Sequence, residues 1–149
     1  MADYSPLPML IDLAQGKVDE AGRALNELTS QRRHAKTQLD TLDTYRADYA
    51  VRLQQATEGG LSASNYHNFR RFIATLDEAI SQQNRIITQI DTKIQTGQQQ
   101  WYVEKRRLNS YETLKARQDQ QMRYRETRRE QRASDEISAG LYRRSRQPH

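Results

Sequence analysis

The 149-residue sequence contains no cysteine, which excludes a disulfide framework, thiolate metal ligands and thiol catalysis together. Glycine and proline are scarce, at six and three residues, and two of the prolines, Pro6 and Pro8, stand near the start. Hydrophobic residues reach only 35% against 29% charged, too little to fill a thick, multi-layered core. No apolar run approaches the roughly 18 residues that span a bilayer. The start, Met1-Ala2-Asp3-Tyr4-Ser5-Pro6, has neither a basic n-region nor an apolar h-region, so a cytoplasmic protein is expected.

Chemistry-bearing motifs are missing as well. There is no G-x-S-x-G and no H-E-x-x-H, and Gly59-Gly60 lacks the Lys-Ser/Thr that completes a phosphate loop. His34, His67 and His149 are too scattered for a metal set. The pairs Asp19-Glu20, Asp77-Glu78 and Asp135-Glu136 point about 100° apart on a helix and read as solvated charge. These absences predict no catalytic residue, no cofactor, no metal and no enzyme activity.

What remains is rich in Leu, Ala, Gln, Glu, Lys and Arg, the residues that lose least on becoming helical. Apolar residues recur at alternating spacings of four and three from Leu7 through Ile11, Ala14 and Val18 to Leu53 and Ala56, broken only by Arg32 and Arg46. A second register runs from Tyr66, Phe69 and Ile73 to Leu108 and Tyr111, then fades through Lys115 and Gln118 to Met122. Between them lies Glu58-Gly59-Gly60-Leu61-Ser62-Ala63-Ser64-Asn65, where glycine supplies positive φ and Ser62 or Ser64 can cap the next helix. The fold is therefore predicted all-α: a long two-stranded antiparallel coiled-coil hairpin with an overhanging C-terminal helix. One elongated domain covers residues 1–149, with arm one at about 6–57, the turn at 58–65, arm two at about 66–138 and a frayed tail at 139–149.

Mirroring the arms about Leu61 sets small residues opposite large ones: Ala56 faces Tyr66, Ala35 faces Ile87, Ala21 faces Trp101 and Ala14 faces Leu108. The layers that look weak are Arg46 with Leu76, Leu39 with Gln83, Leu25 with Gly97 and Val18 with Glu104. The two edges of the seam differ. Lys36, Asp43 and Ala50 beside Arg70, Asp77 and Asn84 make an ordinary solvated edge; Gln38, Tyr45 and Arg52 beside Phe72, Ala79 and Ile86 make an aromatic one. Such an asymmetric strip marks a protein partner. The alternative is a thickened core, with Arg52 stacked on Phe72 and Tyr45 covering Ala79.

Charge is also uneven: 7 Lys/Arg against 9 Asp/Glu in residues 1–60, 4 against 3 in 61–100, and 13 against 7 in 101–149. Arg125, Arg128, Arg129 and Arg132 recur at helical spacing as one basic stripe, diluted by Glu126 and Glu130. It reads as a solvated tail, or as a helix end ordered by an acidic protein socket or by nucleic acid.

The sequence resembles the flagellar export protein FliJ family. The resemblance rests on Leu10 to Leu28 with Asp12-Leu13-Ala14, the stretch from Gln38 to Tyr49, the turn Gly59-Gly60-Leu61-Ser62, the run Tyr66 to Ile73, Leu76 to Gln83, Trp101 with Lys105-Arg106-Arg107-Leu108, Leu114 to Arg117, and Glu130 to Glu136. It implies an antiparallel coiled coil similar to the central stalk of rotary ATP synthases. The joined ends would enter and help assemble the ring of the export ATPase FliI, with Arg125, Arg128, Arg129 and Arg132 facing it. The export gate protein FlhA would meet Gln38, Leu42, Tyr45, Tyr49, Phe72, Leu76, Ala79 and Gln83, and export chaperones would be escorted. No small-molecule substrate and no nucleic acid are implied, and membrane association would be peripheral, through the export apparatus at the inner membrane of the flagellar base. The residues alone leave two alternatives open, a basic helical hairpin that binds nucleic acid and a generic coiled-coil scaffold.

Overall fold

The computed structural model describes residues 5–146. It holds two helices, α1 (Leu7–Glu58) and α2 (Ala63–Ser145), with no strand among the described residues. None of its described helices is long and apolar enough to cross a membrane.

The helix ends follow from local chemistry. Ser5 Oγ accepts the Leu7 N–H at 3.3 Å, and the Pro6 carbonyl accepts the Leu10 N–H at 3.0 Å, so α1 opens with a serine cap and a proline in its first turn. At the other end the Gly59 N–H reaches the Gln55 carbonyl at 3.1 Å and the Gly60 N–H reaches Thr57 at 3.3 Å. Gly60 then takes φ 91°, a left-handed conformation that a Cβ would strain. Of the two candidate caps for α2, Ser62 is the one used: its Oγ accepts the Asn65 N–H at 3.3 Å. The turn is therefore shorter than the eight residues expected, because capping by Ser62 lets helix begin at Ala63.

Contacts group the chain into two compact units, Val18–Val103 and a second made of the residues up to Lys17 with those from Glu104 onward. Within residues 18–103 the two helices run antiparallel and pair as the register predicts. Ala35, Leu39, Ile87 and Ile90 form a buried cluster flanked by Ile80 and Ile94. Arg32 and Arg46 are the only exposed positions on the α1 side of this seam. Each leaves its stem on the seam and raises its head to a carboxylate of the other helix: Arg32 Nε lies 2.6 Å from Asp91 Oδ1, and Arg46 Nε 2.7 Å from Asp77 Oδ1. Both partners fall within one residue of the mirror position about Leu61.

Two layers that look weak in sequence are well made. Gln83 donates its amide to the Ala35 carbonyl at 2.9 Å and to Gln38 Oε1 at 3.1 Å, so a polar side chain on the seam is satisfied by the facing helix. Gly97 is a notch for Leu25: a Cβ there would stand 2.9 Å from Leu25 Cδ2. Trp101, in contrast, is only half-buried, since Ala21 and Gly22 opposite are too small to cover it; its ring meets Tyr102 edge-on at 5.3 Å.

In the other unit Ala14 and Leu108 are almost fully buried. Glu104 is buried at 6% exposure, with Arg107 Nη1 3.2 Å from its carboxylate. Ser5 Oγ donates to Gln118 Oε1 at 2.9 Å, tying the start of α1 to α2. From residue 119 to 139 every residue of α2 is exposed, which is the overhang. The helix nevertheless continues through Gly140 to Ser145, where the sequence suggests fraying; one glycine costs about 1 kcal/mol, and the next breaker, Pro148, comes later. Residues 147–149 of that tail, His149 among them, and residues 1–4 lie outside the described residues.

The seam makes two stability predictions. Gly16 has open space where a Cβ would go, so Gly16→Ala raises unfolding free energy by about 1 kcal/mol in urea titrations, whereas Gly97→Ala yields less because the new methyl pushes on Leu25. The hydrogen bond from Arg46, opposed by slight desolvation and aided by charge attraction, holds the Asp77 carboxyl below its ordinary value. That stabilisation is present at neutral pH and lost as pH falls through and below the carboxylate range, so Asp77→Asn lowers neutral stability and makes the acid limb of the stability profile shallower.

Candidate partner-binding site

Seam geometry decides what the aromatic edge can show. Tyr49 and Leu76 are seam positions, and Leu76 is buried at 7% exposure. Of the residues in the expected patch it therefore offers the least surface to a partner in this structure. Tyr45 and Phe72 stand one step outside the seam and remain 54% and 42% exposed. Phe72 leans on Tyr49, ring centroids 4.4 Å apart, and Tyr49 also meets Phe69 at 6.2 Å. Arg52 covers the Tyr49 ring at 5.4 Å instead of stacking on Phe72.

The core-thickening alternative is thereby met only halfway. Tyr49 and Leu76 are drawn inward, while Tyr45 and Phe72 keep open faces. Ile86, at 40% exposure, is a further apolar side chain on the same edge, legible in the register but absent from the residues inferred by resemblance. Ala79 and Leu42 are half-buried between these groups.

Further from the turn, Thr37, Gln38, Thr41, Leu42 and Gln83 line a shallow groove. Gln38 also contacts His34, with 3.4 Å between the Gln38 amide nitrogen and the imidazole Nε2. Gln83 is held by the Ala35 carbonyl, so it presents a fixed amide at the groove wall. The eight residues of the expected gate patch thus divide into a buried side chain (Leu76), two exposed rings (Tyr45, Phe72) beside the half-buried Tyr49, and a polar groove (Gln38, Leu42, Gln83), with Ala79 half-buried.

In the other unit, Arg125, Arg128, Arg129 and Arg132 are all exposed on α2. Arg125 borders a groove with Ser5, Pro8, Gln118 and Met122, and Arg128 lies over Tyr124 at 5.8 Å. Among the described residues, no group of three or more His, Asp or Glu is placed to hold a metal ion.

Comparison with known proteins agrees with this architecture. The family described as Flagellar FliJ protein matches residues 3–147. The Flagellar FliJ protein of Salmonella typhi is 33% identical over 138 residues, covering 93% of this chain and 94% of the relative. That of Escherichia coli strain K12 is 31% identical over the same shares. A solved structure described as a YscO homolog, CT670 from Chlamydia trachomatis, superposes with a TM-score of 0.64 over 99% of this chain and 100% of its own, at 16% identity, and shows the same fold. With a family match over almost its whole length and two relatives above 30% identity, this antiparallel helical hairpin belongs to the Flagellar FliJ protein family.

Proposed function

We propose that the chain works as a stalk in flagellar type III protein export, promoting assembly of the export ATPase FliI, meeting the gate protein FlhA and escorting export chaperones. Family membership supports the broad role, a flagellar export component. The finer reading rests chiefly on one observation: Tyr45 and Phe72 stay exposed at the edge of a seam that draws their neighbours Tyr49 and Leu76 inward. An aromatic rim over a packed floor is the kind of rigid apolar patch that carries binding energy at protein interfaces. The amides of Gln38 and Gln83 beside it supply directional contacts.

The second contact is electrostatic. Residues 119–139 of α2 are exposed throughout, and the four stripe arginines among them, Arg125 beside the groove with Ser5 and Pro8, make a surface suited to an acidic socket in the ATPase ring. ATP turnover at one surface would then bias the gate at the other without chemistry in this chain. The working location is cytoplasmic, against the inner membrane at the flagellar base.

Two experiments test this. Tyr45→Ala combined with Phe72→Ala should leave helicity and melting unchanged, weaken FlhA binding by on the order of a hundredfold and abolish motility. A variant that loses its fold makes the strip core, and one that binds normally removes it as the gate surface. Reversing Arg125, Arg128, Arg129 and Arg132 to Glu should abolish stimulation of FliI ATPase activity, and unchanged stimulation refutes the ring contact.

A further inference from the structure

Two tyrosines on the overhang of α2 are arranged alike. Tyr124 is 62% exposed with the Arg128 guanidinium over its ring at 5.8 Å; Tyr142 is 57% exposed with Arg146 over its ring at 4.9 Å. In each case the arginine follows its tyrosine by four residues, one helical turn. The two tyrosines are 18 residues apart, five full turns, so they share one face of α2 about 27 Å apart along the axis, with Arg146 in the turn just past the helix end. Among the described residues neither arginine makes an ion pair.

Laying a guanidinium over a ring restricts a side chain that otherwise has large rotamer freedom, while the N–H groups along its edge stay free to receive a carboxylate at two points. Asp135, the acidic residue midway on the same face, is seven residues from Arg128 and seven from Tyr142. That is about 10 Å each way, near one Debye length at physiological salt, so it neutralises neither end.

Such a surface fits discrete acids better than a continuous polyanion. Rings about 27 Å apart cannot stack consecutive bases, and Asp135, midway on the same face, interrupts any phosphate track along it. Ile137 and Leu141, the apolar groups a lipid surface would need, lie on another side of the helix.

We propose that Tyr124 with Arg128 and Tyr142 with Arg146 are two preorganised carboxylate clamps, and that they read an acidic protein surface presenting carboxylates about five helical turns apart. The proposal rests on the reading that this overhang meets the export ATPase, and it names the chemistry of that contact. The tyrosines are positioning residues; the arginines make the contact.

The test measures the affinity of the full chain for FliI and, separately, for a synthetic helix carrying glutamate pairs 18 residues apart. Tyr124→Ala with Tyr142→Ala is expected to bind each probe about tenfold more weakly, roughly threefold per clamp, with unchanged helicity. Tyr124→Phe with Tyr142→Phe keeps the rings and should bind within twofold of the unaltered chain. Equal binding by the alanine and unaltered chains, or loss in the phenylalanine variant equal to that in the alanine variant, overturns the clamps. Failure of the unaltered chain to bind FliI while the acidic helix is held tyrosine-dependently refutes the ATPase reading and keeps the clamps. Binding to a single-stranded oligonucleotide with neither acidic probe bound overturns both.

Discussion

Everything in this molecule depends on how the two helices share a narrow seam. A two-helix interface offers each buried side chain one facing neighbour position, so the volume of each layer must be made up across it. Ala35 beside Ile87 and Gly97 beside Leu25 show the rule in its simplest form: a small residue on one helix admits a large one from the other. A chain with only 35% hydrophobic residues can fold this way because the seam, and little else, is apolar.

Interruptions of the seam set its register. Arg32 and Arg46 reach past it to Asp91 and Asp77, and Gln83 crosses it to the Ala35 carbonyl. Exposed ion pairs add little stability individually. Their effect is geometric: a helix slid by one turn would separate each donor from its acceptor, as it would take Leu25 off its notch at Gly97. Polar and size-matched seam residues thus favour the same alignment.

The same alignment creates the exposed aromatic edge. Because Leu76 is buried on the seam and Tyr49 half-buried there, the adjacent positions Tyr45 and Phe72 are carried outward together, one from each helix. On the overhang of α2 the opposite condition holds. Where α2 is exposed all round, arginines and tyrosines are left to organise one another along a single solvated face. One fold therefore yields an apolar edge supported by packing and a charged one built from neighbouring turns.

The hairpin, the place of its turn, the alignment about Leu61 and the aromatic edge were all legible in the sequence. Each follows from residue periodicity or from glycine and serine chemistry acting over a few residues, which tertiary contacts had no reason to override. Tertiary structure alone decided the matters of depth and partnership. That Leu76 is buried while Phe72 stays exposed, that Arg52 covers Tyr49, that Gln83 is satisfied by a backbone carbonyl and that Trp101 is only half covered all depend on side-chain positions across the seam. A heptad pattern states which residues face inward, but exposure and bonding are set by the size and reach of whatever stands opposite, and that is fixed only when the two helices meet.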